Sequence, residues 1–111
     1  MSNQFRPLSH AQLRLWLLDR LEPGSATYNI GRMFRLRGTL SEAALRDSLQ
    51  GVVARHEVLR TSFIEMDGEP VQVVAERRAV ELPVVDLSGD PEGEAEALRR
   101  ARSEAQRPFD L

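Results

Sequence analysis

Four charged or titratable side chains lie within six residues in the middle of the chain, in the sequence R-H-E-V-L-R that runs from Arg55 to Arg60. The guanidinium group of arginine is a planar fork that suits bidentate pairing with a carboxylate. Two interpretations are open from these residues alone. In one, the cluster is a capped helix end with solvated arginines. In the other, Arg55 and Arg60 reach into a site and hold a carboxylate there.

The two histidines of the chain offer little independent chemistry. His56 can in principle act as a general base, but its position at a helix end beside Arg55 and Glu57 favours a structural role. His10 lies on another predicted element, with no thiolate or clustered carboxylate near it in sequence, so we expect no metal site. The chain also lacks a G-x-S-x-G motif and a glycine-rich phosphate loop.

Composition narrows the class of protein further. The 111 residues are 41% hydrophobic and carry a net charge of -2, which argues against a nucleic-acid-binding protein. There is no cysteine or lysine, so disulfides, a cysteine nucleophile and Schiff-base chemistry are excluded within these residues. We see no signal peptide and no apolar run of the roughly 20 residues that span a bilayer. We therefore expect a cytoplasmic protein that binds neither membrane nor nucleic acid.

The first predicted helix is preceded by residues 1–8, in which we predict no regular element. Ser9 and Gln12 have the spacing of a capping box, which predicts a helix that begins just after Ser9. Apolar residues cover most sides of this helix, so we expect it to be buried on more than one side, with Trp16 in the core.

The other predicted elements surround the charged cluster. A helix that Ser41 caps leads into it and ends at Arg55, and a hairpin with an Asp67-Gly68 turn follows it. Two further strands and a final helix are predicted at residues 28–37, 80–85 and about 92–107. The fold class is thus α/β (α+β), a mixed sheet with packed helices. Because a partial sheet leaves an unpaired edge and an uncovered apolar face, we expect the isolated chain to be marginally stable or prone to associate.

The stretch from Arg55 to Phe63 resembles the second signature motif of condensation domains in non-ribosomal peptide synthetases. The stretch from Ser9 to Leu18 resembles the first, in which the matching residues include Ser9, Gln12, Arg14 and Trp16. The resemblance covers residues 1–111 and implies the N-terminal part of a condensation domain, within the N-terminal subdomain of a chloramphenicol-acetyltransferase-like fold. The family's catalytic motif, His-His-x-x-x-Asp-Gly, has no counterpart before Leu111.

The resemblance implies amide-bond formation between thioesters carried on the phosphopantetheine arms of two carrier proteins, with no cofactor bound directly. It implies that the second histidine of the absent motif orients or deprotonates the attacking amine. The aspartate of that motif would be held by Arg60, with Arg55 in support. The other matching residues, His56 and Glu57 included, would be structural, so no catalytic residue is expected in this chain.

The implied partners are the remainder of the condensation domain, the donor and acceptor carrier proteins and the adjacent synthetase modules. The complete domain would be an acyltransferase, whereas these 111 residues alone are expected to be inactive. Two alternatives stay open: a split or decayed domain that acts as an interaction or scaffold module, and a related coenzyme-A-dependent acyltransferase. The match to both synthetase signatures argues against the second.

Overall fold

The computed structural model describes residues 3–111, which form three helices, a short 3-10 turn and three strands. In chain order these are β1 (Gln4–Pro7), α1 (His10–Leu21), α2 (Glu42–Arg55), the 3-10 turn (Glu57–Arg60), β2 (Thr61–Met66), β3 (Glu69–Val74) and α3 (Gly93–Ala105). The predicted class, a sheet with helices packed on it, is confirmed. None of the helices in residues 3–111 is both long enough and apolar enough to cross a bilayer.

The sheet is antiparallel, with β3 between β1 and β2. Strands β2 and β3 form the predicted hairpin, and its two-residue turn places Asp67 at φ 54° and Gly68 at φ 79°. Positive φ at both positions is the conformation that matches the twist of paired strands, and aspartate followed by glycine is a favoured pair for it. This turn sets the register that brings Phe63 opposite Gln72.

Helix α1 packs on one face of this sheet. The side chain of Gln12 donates a hydrogen bond to Gln72 at 3.2 Å, and Arg20 pairs with Glu65 at 3.5 Å. Trp16 is 7% exposed, with the guanidinium carbon of Arg20 4.6 Å from the centre of its ring. The predicted core position of Trp16 is confirmed.

The opposite face of the sheet is only partly covered. Val73 is buried there, but Phe5, Ile64 and Met66 on the same face keep 57%, 40% and 46% of their surface exposed. The sequence predicted an uncovered apolar face, and the structure contains one.

The strand predicted at residues 28–37 does not form, and this prediction was wrong. Strands need a neighbouring backbone to bond, and within residues 3–111 this segment runs beside α3 instead of beside a strand. Its contacts there are made by side chains: Asn29 bonds carbonyls at the end of α3, and Arg35 forms an ion pair with Glu94.

The strand predicted at residues 80–85 is also absent. Side chains of α2 bond its backbone in place of a partner strand: Gln50 accepts from the Val80 N–H at 2.9 Å, and Arg46 donates to the Leu82 carbonyl at 3.2 Å.

Conversely, β1 falls within residues 1–8, where no element was predicted. Four residues that end in Pro7 carry too little periodicity to reveal a strand that forms only because β3 pairs with it.

The remaining helices lie close to their predicted bounds. Ser41 caps α2 by accepting a hydrogen bond from the Ala44 N–H at 3.2 Å. Helix α3 begins one residue after, and ends two residues before, the predicted bounds of 92 and 107. The side chains that face inward from α3 are small, Ala97, Ala101 and Ala105, and each is half-buried.

The surface of the chain is large for its mass. It exposes 9352 Å² and has a Cα radius of gyration of 17.4 Å. A compact monomer of 12.5 kDa would expose about 6,200 Å², and a domain of this length has a radius of about 13 Å. Only Trp16, Val73 and Val74 are buried hydrophobic residues among those the structure describes. The fold is therefore open, with much of its apolar surface uncovered.

An acidic side chain on α3 should titrate at unusually low pH. Hydrogen bonds from Arg99, and from Arg100 at 2.8 Å, lower the pKa of Glu96 from the ordinary 4.5 to about 2. The stability that this carboxylate gives α3 is therefore present above pH 4.5 and is lost as the pH falls through about 2. A ¹³C NMR titration should show the low midpoint, and Arg99→Ala should raise it. A midpoint near 4.5 in the unaltered chain would contradict the assignment.

Candidate functional site

The charged cluster forms a joint between α2 and the sheet. Helix α2 ends at Arg55, and the His56 N–H donates to the Val52 carbonyl at 3.2 Å as the C-terminal cap. The 3-10 turn follows, closed by a hydrogen bond from the Leu59 N–H to the His56 carbonyl at 3.0 Å. The turn, which the sequence did not predict, aims Arg60 back toward the end of α2.

The guanidinium group of Arg60 is the centre of this joint. Its Nη1 donates to the carbonyls of Val53 and Ala54 at 3.0 and 2.7 Å, and its Nε donates to the Ala75 carbonyl at 2.9 Å. The last carbonyls of a helix have no partner within the helix. Arg60 supplies two of them with donors and ties the end of α2 to the residue after β3.

These bonds leave one nitrogen of Arg60 available. Nε has one hydrogen and Nη1 has two, and each faces a carbonyl, so Nη2 alone is free to pair within the described part of the chain. No carboxylate of residues 3–111 lies within ion-pair distance of Arg60. Arg60 lines a cavity of about 310 Å³ with Gln4, Glu57 and Glu76. The cavity thus presents one arginine and two acidic side chains, with Nη2 of Arg60 unpaired among residues 3–111.

The other charged residues of the cluster do not share the hydrogen-bond partners of Arg60. Arg55 is exposed and has no hydrogen-bond or ion-pair partner among residues 3–111. Glu57 accepts from Arg6 of β1 at 2.9 Å, and its carbonyl accepts from the Thr61 hydroxyl at 2.8 Å. The structure therefore joins Glu57 to the sheet edge, whereas Arg55 shares no bonded partner with Arg60.

The residues of the first motif lie in α1. The predicted capping box is present: the Ser9 hydroxyl accepts from the Gln12 N–H at 3.1 Å, and the Gln12 side chain accepts from the Ser9 N–H at 2.7 Å. Gln12 also donates a hydrogen bond to Gln72 of β3, so the same side chain caps α1 and joins it to the sheet. Arg14 is exposed and has no hydrogen-bond partner in the described part of the chain, and the buried Nε1 of Trp16 has none there either.

Sequence reasoning missed a long-range contact of Asn29. Its side-chain Nδ2 donates to the carbonyls of Ala105 and Arg107 at 3.1 and 2.8 Å. Gly31 approaches the same helix end, since a Cβ at this position would lie 2.7 Å from the Cβ of Ala105. No local sequence signal reveals a contact between residues 76 positions apart.

The polar contacts of Arg60 in this joint are with backbone carbonyls. His10 and His56 are both exposed and lie on different elements. In residues 3–111 no group of three or more histidine or acidic side chains is placed to hold a metal ion. Among the described residues of the cluster, Arg60 is the one that bonds several backbone carbonyls at once.

A comparison with family models shows the family of the chain. The family model of the condensation domain matches residues 2–111. The chain belongs to the condensation-domain family. Several peptide synthetases are similar to it: a linear gramicidin synthase from Brevibacillus parabrevis is 55% identical over 107 residues, and phosphinothricin tripeptide synthetase PhsC of Streptomyces viridochromogenes is 45% identical over 107 residues. Each of these alignments covers 95% of this chain.

The fold agrees with this family. The starter condensation domain of rhizomide synthetase RzmA, solved as a mutant in complex with C8-CoA, superposes with a TM-score of 0.86 at 30% identity over 97% of this chain. The predicted chloramphenicol-acetyltransferase-like fold is thereby confirmed. The chain spans 25% of that solved condensation domain, 2% of the gramicidin synthase polypeptide and 10% of PhsC.

Proposed function

We propose that these residues form the N-terminal portion of a condensation domain that makes amide bonds in non-ribosomal peptide synthesis. The observation that carries the proposal is the family match over residues 2–111, which includes both signature stretches. The substrates would be two thioesters on the phosphopantetheine arms of a donor and an acceptor carrier protein. The carrier proteins and the adjacent synthetase modules are the partners that this reaction requires.

In the proposed reaction the acceptor amine attacks the carbonyl carbon of the donor thioester. A C–N bond forms, the C–S bond breaks, the donor thiol leaves, and the amine loses one proton. Since residues 3–111 place no base beside a nucleophile, the groups that handle this proton belong to the remainder of the domain in our proposal. The chain described here supplies the framework on which that remainder is placed.

The large exposed surface of this chain supports the proposal that the remainder of the condensation domain packs against it. The chain exposes about 3,000 Å² more than a compact monomer of its mass. That excess includes the sheet face with Phe5, Ile64 and Met66 and the extended segment with Phe34 and Leu36, which keep 76% and 66% of their surface exposed. Contiguous exposed apolar patches mark interaction surfaces. We assign them to contact with the rest of the condensation domain.

Arg60 has a double role in this proposal. Three of its five hydrogens bond backbone carbonyls, and Nη2 is left to donate to the aspartate of the His-His-x-x-x-Asp-Gly motif. Because Nε and Nη1 are occupied, the carboxylate would meet Nη2 alone instead of a bidentate fork. Arg55, which is exposed, would support the joint only through contacts with the remainder of the domain.

The proposal is tested with a complete condensation domain that includes this chain, together with its two carrier proteins. The donor and acceptor carriers are loaded with their amino acids, and the acceptor is followed by intact-protein mass spectrometry. We expect the acceptor to gain the mass of the donor residue while the donor returns to the free thiol. A folded domain that leaves both loaded carriers unchanged, when the condensation domain of the gramicidin synthase turns over in parallel, would contradict the proposal.

A further inference from the structure

The C-terminal end of α3 is capped from a distant part of the chain. A helix commonly ends with a glycine in the left-handed conformation, whose N–H groups satisfy the last carbonyls. Here the capping residue Gln106 has φ -98° and ψ -1°, and Arg107 and Pro108 follow it. The N–H groups of Gln106 and Arg107 bond the carbonyls of Arg102 and Glu104, and the two hydrogens of the Asn29 amide satisfy the carbonyls of Ala105 and Arg107.

Close backbone approach strengthens this contact. A Cβ on Gly31 would lie 2.7 Å from the Cβ of Ala105, which is closer than two carbon atoms tolerate. Only glycine lets the chain after Asn29 lie against the last turn of α3. Asn29 and Gly31, which we call the α3 clamp, thus hold one helix end by hydrogen bonds and by contact.

The clamp is itself held in place. The Asn29 N–H donates to the Ala26 carbonyl at 3.0 Å, and the hydroxyls of Ser25 and Thr27 bond each other at 2.7 Å. Asn29 is also half-buried, so its amide is partly shielded from water that would compete for the two carbonyls. A short, internally bonded loop that follows α1 therefore presents the donor.

What the clamp fixes is the direction of the chain after α3. Asn29 bonds the carbonyl of Arg107, which belongs to the peptide bond just before Pro108. From there Phe109 and Leu111 run along an apolar groove of about 560 Å³ that Leu15, Leu18 and other residues of α1 and its following loop line. A rotation of this one peptide would move every residue that follows it.

We infer that Asn29 is a positioning residue for the condensation reaction, through the path it imposes on the chain after Arg107. The inference rests on the proposed function, in which the reacting groups lie beyond Leu111. Displacement of reacting groups by about 1 Å can cost a hundredfold in rate, so a residue remote from the chemistry can govern it.

The test is Asn29→Asp in the complete condensation domain. Aspartate has the size of asparagine, but its carboxylate cannot donate and repels both carbonyls. We expect kcat to fall roughly tenfold to a hundredfold, with KM for the loaded carriers changed by less than about twofold, because the Asn29 amide bonds only the chain's own backbone. Hydrogen exchange should accelerate at the amides of Gln106 and Arg107. Asn29→Gln, which keeps both donors, should recover part of kcat.

Controls separate positioning from simple stability. Asn3→Asp alters the only other asparagine, which is exposed, and should leave kcat and exchange unchanged. All rates are measured at a temperature at which circular dichroism shows each variant to be folded. If Asn29→Asp does not fold, Asn29→Ser, which keeps one donor, takes its place and should show a smaller loss of kcat.

The outcomes distinguish this inference from the proposed function. An unaltered domain that forms no amide bond would overturn the proposed function, while the exchange rates would still report on the clamp. An active domain whose kcat is unchanged by Asn29→Asp, or falls only with the folded fraction, would overturn the positioning role alone. Unchanged exchange at Gln106 and Arg107 would show that the clamp itself is absent.

Discussion

Arg60→Ala is expected to lower the free energy of unfolding of the complete domain by about 2–4 kcal/mol, since hydrogen bonds to charged groups contribute about 1.5–3 kcal/mol each and the half-buried site is partly screened. The substitution leaves the carbonyls of Val53, Ala54 and Ala75 without their donor. It also releases α2 from the end of β3. We expect amide-bond formation to fall at least as far as the folded fraction does.

Urea denaturation and the carrier assay measure these two effects, with Arg35→Ala as the matched control. Arg35 forms an ion pair with Glu94, and both partners are exposed. Exposed pairs contribute about 0–1 kcal/mol, so its removal should change little. Arg60→Lys should resemble Arg60→Ala in stability, because a single ammonium lacks the fork that reaches both ends of the joint. Equal, mild effects of Arg60→Ala and Arg35→Ala would show that Arg60 is only a solvated charge.

The second large effect concerns the isolated 111-residue chain, which is expected to form no amide bonds. It is also expected to lack a cooperative unfolding transition or to associate. The physical reason is its small core of Trp16, Val73 and Val74 beside an apolar sheet face open to water. Proteins with so little buried surface are marginal, and unpaired strand edges promote association.

Size-exclusion chromatography with light scattering, and binding of a hydrophobic dye, measure these properties. The complete domain, studied in parallel, should be a compact species with low dye binding and measurable turnover. Separately produced remainder, added to the isolated chain, should reduce the dye binding. Turnover by the isolated chain, or a sharp unfolding transition of a compact monomer, would show that the structure needs no covering partner.

Local signals in the sequence were sufficient for much of the fold. The capping box of Ser9 and Gln12, the Ser41 cap and the Asp67-Gly68 turn each depend on residues that are neighbours in the chain. Each appears in the structure where the pattern placed it. Trp16 was placed in the core by the apolar character of α1, which is also a local property.

Elements that depend on distant partners were not predictable in this way. Strand β1 exists because β3 pairs with it, and the segments at 28–37 and 80–85 have strand-like composition but no strand beside them within the described residues. The same limit applies to the candidate site. The side chain of Arg60 bonds Ala75, fifteen positions away, and Asn29 bonds α3 across 76 positions. The placement of Arg55 and Arg60 around the end of α2 was predictable from the sequence, but the carbonyl partners of Arg60 were not.

The need for a covering remainder is tested most directly by native mass spectrometry of this chain as isolated from its source cells. We predict a species well above 12.5 kDa that contains the remainder of a condensation domain, either in the same polypeptide or as a bound partner. A free, monomeric 12.5 kDa species would contradict this prediction, because nothing would then cover the open sheet face or supply the groups that react.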